Sequence, residues 1–370
     1  MKYRICKRCV MDTSDKDIKF DKNGYCNHCN DALNRKKNEV FGGNVGKKKF
    51  DDFVDMLKKE GKGKKYDCVI GISGGVDSSY LAYLLSKKGL RILGVHVDGG
   101  WDTDISSKNI KLLCSKCNIE LVNIKIDEKE MFSLQKAYFL SGVINQDVPQ
   151  DHAFFATLYN FLKKHKIKYF ISGHNWVSES ITPLSWGFDA YDSTNIKDIY
   201  KKYTGKSLKH YPLLSFFNYK ILIPYMYGIK KIRPLNYIDY DPTKALDILK
   251  EKIGYLDYGS KHCESSFTRL LQCYIQPKKY GFEKRRAHLS SLIVSGKLNR
   301  NEALKILSEQ PCSELQLESD INEFIRKIDI SKEKFNEIIN DKNYHSHYDF
   351  KTNEVKNNIF KKIRKILGKR

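Results

Sequence analysis

A chain of 370 residues exceeds what one hydrophobic core usually supports, so about two domains with a small appendage are expected. Apolar residues make up 41% of it, with only 8 prolines and 23 glycines, which excludes a collagenous or wholly disordered polymer. Sixty-six Lys and Arg against 44 Asp and Glu leave a formal charge of +22, which attracts phosphate-bearing partners or an anionic surface without choosing among nucleic acid, nucleotide and membrane.

The chain begins MKYRICKRC, with no apolar h-region and no small-residue cleavage site, so the cytoplasm is the expected compartment. Cys6, Cys9, Cys26 and Cys29 form a C-x2-C-x16-C-x2-C arrangement. Two tight pairs a hairpin apart let four thiolates converge on structural Zn2+, whose binding replaces the core that so short a segment cannot build. Iron at four sulfurs fits the same spacing, and His28 is read as a bystander. Residues 1–45 are therefore expected to be a four-cysteine zinc-binding knuckle.

A Lys/Gly-rich connection at 42–49 leads into an amphipathic helix with Phe50, Phe53, Val54 and Leu57 on one face. From Tyr66, strand-like runs alternate with helical ones: CVIGI and SSYLAYLLSKKG, RILGVHV and a periodic segment at 110–113, ELVNIKI and helices near 131–140 and 153–165, then KYFIS. The alternation predicts an α/β fold with a doubly wound, mostly parallel sheet over 46–240, binding its ligand at the carboxyl ends of the strands. The segment from about 184 is irregular and aromatic-rich. Its longest nearly uncharged stretch, 213–229, contains Lys220 and Pro224 and is too short to span a membrane. Residues 241–345 read as a helical substrate domain, with Leu289, Leu292, Ile293, Ala303, Leu304 and Leu307 at helical steps. Residues 346–370 read as a basic amphipathic tail, with Val355, Ile359, Ile363, Ile366 and Leu367 on one face; it is either a docked terminal helix or a peripheral membrane or partner contact.

Residues 69–79, VIGISGGVDSS, carry the most chemistry. A strand ends, Gly74 and Gly75 permit a turn whose N–H groups face outward, and a serine-rich helix begins. Those donors, the hydroxyls of Ser73 and Ser78 and the positive helix end suit a pyrophosphate. Asp77 would repel phosphate unless it held a divalent cation, so it is assigned to Mg2+. The lysine and spacing of a Walker A loop are missing.

SGGVDS after a strand resembles the SGGxDS motif of the PP-loop ATP pyrophosphatases, the superfamily of GMP synthetase, asparagine synthetase and the tRNA thiolases. The resemblance implies an enzyme that cleaves ATP between the α and β phosphates and adenylates a carbonyl oxygen, after which a nitrogen or sulfur nucleophile expels AMP. It implies an ATP pocket at Val97 and Asp98 in VHVDGGW, further ATP contacts at Gly173 and His174 in ISGHNWVSES, and Glu179 as a second magnesium ligand. The knuckle, the loop, DVPQDHAFFA (147–156), KHYPLLSFF, KIRPLNYIDY and the segment 258–304 together resemble the N-acetyl sugar amidotransferases of bacterial surface-polysaccharide and nonulosonic-acid pathways, over residues 6 to about 307. Members of that family convert an acetamido group on an activated sugar into an acetamidino group, in lipopolysaccharide or flagellar glycan biosynthesis.

Under this resemblance Asp151 and His152, read as lying just before a helix, would handle the protons of attacking ammonia; a helix cap and a satisfied polar residue are the alternatives. Lys261, His262 and Arg269 would contact substrate. Lys278, Lys279, Lys284, Arg285 and Arg286 would suit the phosphates of ATP or a sugar nucleotide, unless they form a solvated helix face. A glutaminase cysteine is missing: Cys6 is assigned to metal and there is no G-x-C-x-G elbow. Ammonia is therefore expected from a separate glutaminase subunit, with an ammonia-channelling cyclase-like subunit as the resemblance also implies, and nucleic acid is not an expected partner. The rival is a tRNA-modifying PP-loop enzyme, a thiolase or lysidine synthetase, for which the Cys114-x2-Cys117 pair would matter; core thiols are the commoner reading of that pair.

Overall fold

The computed structural model describes residues 2–259, 261 and 263–366, so His262 and Leu367 lie outside the described residues. Strand β1 (Cys68–Gly71) is apolar at every position because both of its faces are covered. Val69 packs with Ala156, Leu158 and Leu162 on one side, while Cys68 and Ile70 join Leu81, Leu85, Ile110 and Leu113 on the other. With β2 (Ile92–Asp98), β3 (Glu120–Lys125), β4 (Tyr169–Ile171) and β5 (Lys230–Ile232) it forms a five-stranded parallel sheet in the order β3-β2-β1-β4-β5. Val69 stands between Leu93 and Phe170 in register, so the order reverses between β1 and β4, where open α/β sheets leave a crevice.

The helices follow in chain order. α1 (Asn27–Glu39) and α2 (Gly43–Glu60) precede the sheet, and α3 (Val76–Lys87), α4 (Asp104–Cys117), α5 (Glu128–Ser141) and α6 (Val148–Lys164) connect its strands. The short α7 (Trp176–Glu179) follows β4, and α8 (Ser193–Thr204) lies in the segment read as irregular. That segment also contains the π-helical turns of Asn218–Met226 and the edge strand β5, which the sequence reading did not anticipate. Beyond it come α9 (Pro242–Ile253), α10 (Ser266–Leu270), π-helical turns at Leu271–Tyr280, α11 (Arg285–Ser295), α12 (Arg300–Ser308), α13 (Glu314–Ile328), α14 (Lys332–Asn340) and α15 (Glu354–Ile366). No helix among the described residues is long and apolar enough to cross a membrane.

The later helices do not pack only on one another. Phe324 of α13 and Phe335 of α14 share a core with Trp101, Phe139 of α5 and Phe267 of α10. The N-terminal segment is likewise anchored from a distance. Val10 N–H donates to Ser290 Oγ of α11 at 3.1 Å, and Arg300 of α12 donates to the carbonyls of Cys6 and Cys9 at 3.0–3.2 Å.

All four knuckle cysteines are fully buried, and their sulfurs lie within 4.8 Å of one another. Cys6 and Cys29 are separated by 3.8 Å and Cys9 and Cys26 by 3.6 Å, which fits the S···S distance of about 3.8 Å that a tetrahedron of ~2.3 Å Zn–S bonds requires. The amides of Arg8, Cys9 and Cys26 point at Cys6 Sγ, donors that stabilise a thiolate. His28 pairs with Asp15 instead of joining the sulfurs. The donor set fits structural zinc. Cys9→Ser is expected to lose bound zinc and to lower the thermal unfolding midpoint; elemental analysis finding the metal retained, with an unchanged melt, would contradict this.

Candidate active site

The switch point between β1 and β4 positions two loops. Gly74 adopts φ +80°, a left-handed turn, and a Cβ there would stand 2.9 Å from the Ser106 backbone carbonyl oxygen. Gly173, after β4, presses against the start of α3 so closely that a Cβ would meet Ser78 N at 2.8 Å. Both glycines are thus required for the loops to converge. α3 has no side-chain cap, and Val76 N–H at its first turn donates to the Tyr258 hydroxyl at 3.1 Å. Ser73 Oγ accepts from Gly75 N–H at 3.2 Å and lies 3.3 Å from Ser78 Oγ, so the hydroxyls line the same turn.

Asp77 enters this turn as a carboxylate and is met by donors from far along the chain. Tyr240 donates its hydroxyl to it, and Lys261 Nζ lies 2.8 Å from its Oδ2. The same ammonium reaches Glu179 Oε1 and Ser178 Oγ, each at 2.7 Å, while His174 pairs with the other Glu179 oxygen. Lys261 therefore occupies the point on which two carboxylates converge. Burial opposes its charge, but Asp77 and Glu179 outweigh that and hold its pKa above the ordinary lysine value. A cation of oxygen-loving type fits this spot, and Asp77 and Glu179 are the residues that would hold Mg2+.

A second group of charges lies beside the first. Asp147 stands at the N-cap position of α6 without capping it, its carboxylate accepting from the Thr268 hydroxyl at 3.1 Å, and Asp151 occupies the first turn, so the helix starts earlier than expected and Asp151 and His152 lie inside it. Asp151 reaches solvent, although protein atoms crowd its carboxyl. Desolvation raises its carboxyl, and the Asp147 carboxylate adds to the effect while Lys284 and Lys231 oppose it; Asp147 is raised by burial too. Lys231 on β5 is pushed down to about 8 by burial and by Arg233, and burial also lowers Lys284 against the pull of Asp147, Asp151 and Glu179. Glu264 faces the turn from the third side: its Oε1 would lie 2.7 Å from a Cβ at Gly75, and burial raises its carboxyl to about 7. At the end of β2, Val97 is half-buried and Asp98 accepts the Gly100 N–H at 2.7 Å. Nearby, His96 bridges the Ile72 carbonyl at 2.8 Å and Asp102 at 2.7 Å, which orients the loop's first residue.

Several expected site residues are committed elsewhere. His152 is buried, with Nδ1 on the Ala190 carbonyl at 2.6 Å and Nε2 accepting Leu214 N–H at 3.0 Å; burial pushes its pKa down to about 4. Both ring nitrogens are used in tying loops together, so the proton-handling role read for it is corrected to packing. Arg269 makes two 2.7 Å contacts with Asp320 and a third with the Cys263 carbonyl, which commits its guanidinium to an ion pair within the fold. Lys279 is buried and donates to the carbonyls of Ile338 and Asp341 at 2.8 Å, capping the end of α14. Arg285 donates to the carbonyls of Ile306 and Glu309 at 3.0 Å, around the end of α12. Arg286 pairs with Asp12 at 3.1 Å and donates to the Val10 carbonyl at 3.0 Å, anchoring the knuckle. Lys278 is exposed on Tyr274. Of the five clustered cations, Lys284 alone is coupled to the cleft carboxylates. Tyr240, Tyr258, Glu264, Asp147, Lys231 and His96 were not singled out from sequence; of these, Asp147 carried a legible signal, a residue of capping type just before Val148–Pro149.

Comparison with known proteins supports the same core. A family model described as the tRNA methyl transferase HUP domain matches residues 66–148, and one described as the C-terminal domain of WbpG-like LPS biosynthesis proteins matches 264–365. Neither covers half of the chain. Among curated proteins, a tRNA-specific 2-thiouridylase MnmA 2 of Fusobacterium nucleatum is 30% identical over 151 residues, 38% of each chain. A tRNA(Ile)-lysidine synthase of Chlamydia muridarum is 28% identical over 169 residues, 45% of this chain and 49% of the relative. The chain thus spans less than half the length of either curated relative. An NMN synthetase structure from Francisella tularensis aligns over 56% of this chain and 93% of its own at 16% identity, with a TM-score of 0.29, too low to carry an argument. The HUP match, the parallel sheet and the loop geometry give the α/β core a PP-loop fold and support the PP-loop ATP pyrophosphatase superfamily, whose members are ATP-utilising ligases or synthetases.

The buried histidines set a pH dependence of stability. The unfolded chain protonates His152 and His347 near 6.5, whereas burial keeps them neutral in the folded chain down to about 4 and about 3. Acidification from pH 6.5 to 4 therefore favours unfolding, and each contribution is lost as the unfolded form gains its proton. For His152 the expected loss is roughly 3 kcal/mol. Chemical denaturation of His152→Gln should show a shallower decline over that window than the parent; an identical decline would contradict the assignment.

Proposed function

We propose that the chain is an ATP-dependent, AMP-forming amidotransferase that replaces the acetamido oxygen of an N-acetylated sugar with ammonia-derived nitrogen. The observation that carries the reading is the convergence of Asp77 and Glu179 on the Lys261 ammonium at the start of α3, where a triphosphate with its cation would sit. The WbpG-like match over 264–365 supports a sugar of the lipopolysaccharide type as acceptor, since it covers Glu264 and Lys284 of the cleft.

An amide carbonyl resists nucleophiles because its nitrogen donates into it. Attack of that oxygen on the α-phosphorus of ATP releases pyrophosphate and leaves an O-adenylyl imidate. Ammonia then adds to the imidate carbon, AMP departs with the original oxygen, and the nitrogen sheds a proton to give the amidine. The turn at residues 73–78 holds the departing pyrophosphate on its N–H and hydroxyl donors. Mg2+, when bound by Asp77 and Glu179, neutralises phosphate charge. Asp151, raised by its surroundings and open to the cleft, accepts the proton from nitrogen, and Lys231 and Lys284 counter the charge of the adenylate. Ammonia comes from a separate glutaminase through a cyclase-like subunit.

The curated relatives favour a second reading, modification of tRNA. Sulfur chemistry at the Cys114 pair fits it poorly, because Cys114 is buried in α4 and burial pushes its thiol up to about 11.

Incubation with ATP, Mg2+, ammonium and a panel of acetamido sugars and sugar nucleotides should yield AMP and a product lighter by the difference between O and NH. Asp77→Asn should abolish AMP formation while the chain stays folded by circular dichroism at the assay temperature, and glutamine should not replace ammonium for the chain alone. Pyrophosphate release that requires tRNA and ignores every sugar would overturn the reading.

A further inference from the structure

α15 is amphipathic in the sense opposite to a docked helix. Val355, Ile359, Ile363 and Ile366 are 71%, 54%, 48% and 83% exposed, and the helix has no buried residue. At about 100° per residue these four side chains fall within an arc of roughly 80°. The half-buried positions, Asn357, Phe360 and Arg364, form a separate face that is turned toward the body, where the Phe360 ring meets Phe216 edge-on at 6.2 Å. A packed surface helix normally buries its apolar stripe. Here the stripe points outward.

The flanks of the stripe are basic. Lys356 lies along one edge and Lys362 along the other, with Lys361, Arg364 and Lys365 behind them and Glu354 as the helix's acid. Such side chains extend their stems past an apolar face and deliver their charges to its rim. The neighbouring segment in space adds to the exposed apolar surface: Phe217 is 58% and Met226 71% exposed, with Tyr225 and Tyr227 also accessible. An apolar stripe rimmed by lysines matches a helix lying in a headgroup layer. A second copy of the chain is disfavoured as the occupant, because it would bring the same basic helix, on a body of net charge +22, against its like.

We propose that α15 docks the protein, in the plane of the surface, onto an anionic phospholipid bilayer, with Val355, Ile359, Ile363 and Ile366 inserted among acyl chains and Lys356 and Lys362 at the phosphates. The contact is peripheral and independent of the ATP site. It is a surface for lipid in general and not a site for one headgroup.

The test is co-sedimentation of the full chain with vesicles of phosphatidylcholine alone and of phosphatidylcholine with phosphatidylglycerol, at low and high salt. Partition into the anionic vesicles should exceed that into the neutral ones and should fall with salt. The Ile359→Asp/Ile363→Asp double variant should lose roughly tenfold or more of that partition, and Lys356→Glu/Lys362→Glu should remove the preference for anionic lipid. Both variants should keep the parent's thermal melt, since the altered side chains are exposed. Failure of the parent to sediment with either vesicle would overturn the proposal, as would equal partition of the Ile359→Asp/Ile363→Asp variant. Concentration-dependent dimerisation lost in that variant, without vesicle binding, would also overturn it and assign the stripe to a second copy.

Discussion

A carboxylate inside an anion-binding turn is the constraint around which the rest of the molecule is organised. Glycines at 74 and 75 and the uncapped start of α3 make residues 72–78 attractive to phosphate, and Asp77 in their midst makes them repellent unless a cation is present. The protein supplies cationic charge from its own chain by bringing Lys261 to Asp77 and Glu179 across a sequence separation of 184 and 82 residues. Tyr240 and Tyr258, both from beyond the sheet, complete the shell around the same turn. The segments after β5 thus meet the glycine turn as well as the neighbouring helical layer, and the knuckle, the sheet and the later helices share cores.

The basic excess divides into distinct physical uses. Lys279, Arg285 and Arg300 point at backbone carbonyls, the first two where helix dipoles leave negative charge, and Arg269 and Arg286 are consumed by buried or nearly buried carboxylates. Lys231, Lys261 and Lys284 face the cleft, where low exposure lowers the first and third and two carboxylates raise the second. A third share lies on α15, facing outward beside an apolar stripe. Net charge alone therefore says little about partners; its placement separates packing, the carboxylate cluster at the turn and the outer surface.

What sequence could and could not show follows the range of the interactions. The C-x2-C pairs and SGGVDS are local signatures, so the knuckle and the turn were legible residue by residue, and the alternation of apolar runs made the parallel sheet legible too. β5 escaped because KKI has one apolar residue in three: as an edge strand it pairs with β4 alone and carries a cleft lysine. α6 begins before the apolar pattern places it, at a start that Asp147 followed by Pro149 marks, so His152 falls inside the helix with both ring nitrogens bonded. Nothing local distinguishes Lys279, which caps a helix some sixty residues away, from Lys284, which faces Asp147 and Asp151. Tertiary partners decide those roles.

The central claim is that the acetamido oxygen is activated by adenylation before nitrogen enters. Its most direct test labels that oxygen with the heavy isotope in the sugar and follows it through turnover with ATP and ammonium. The account predicts that the label leaves the sugar and appears in the phosphate of AMP. Unlabelled AMP, with the heavy oxygen retained in the sugar or released to water, would contradict it.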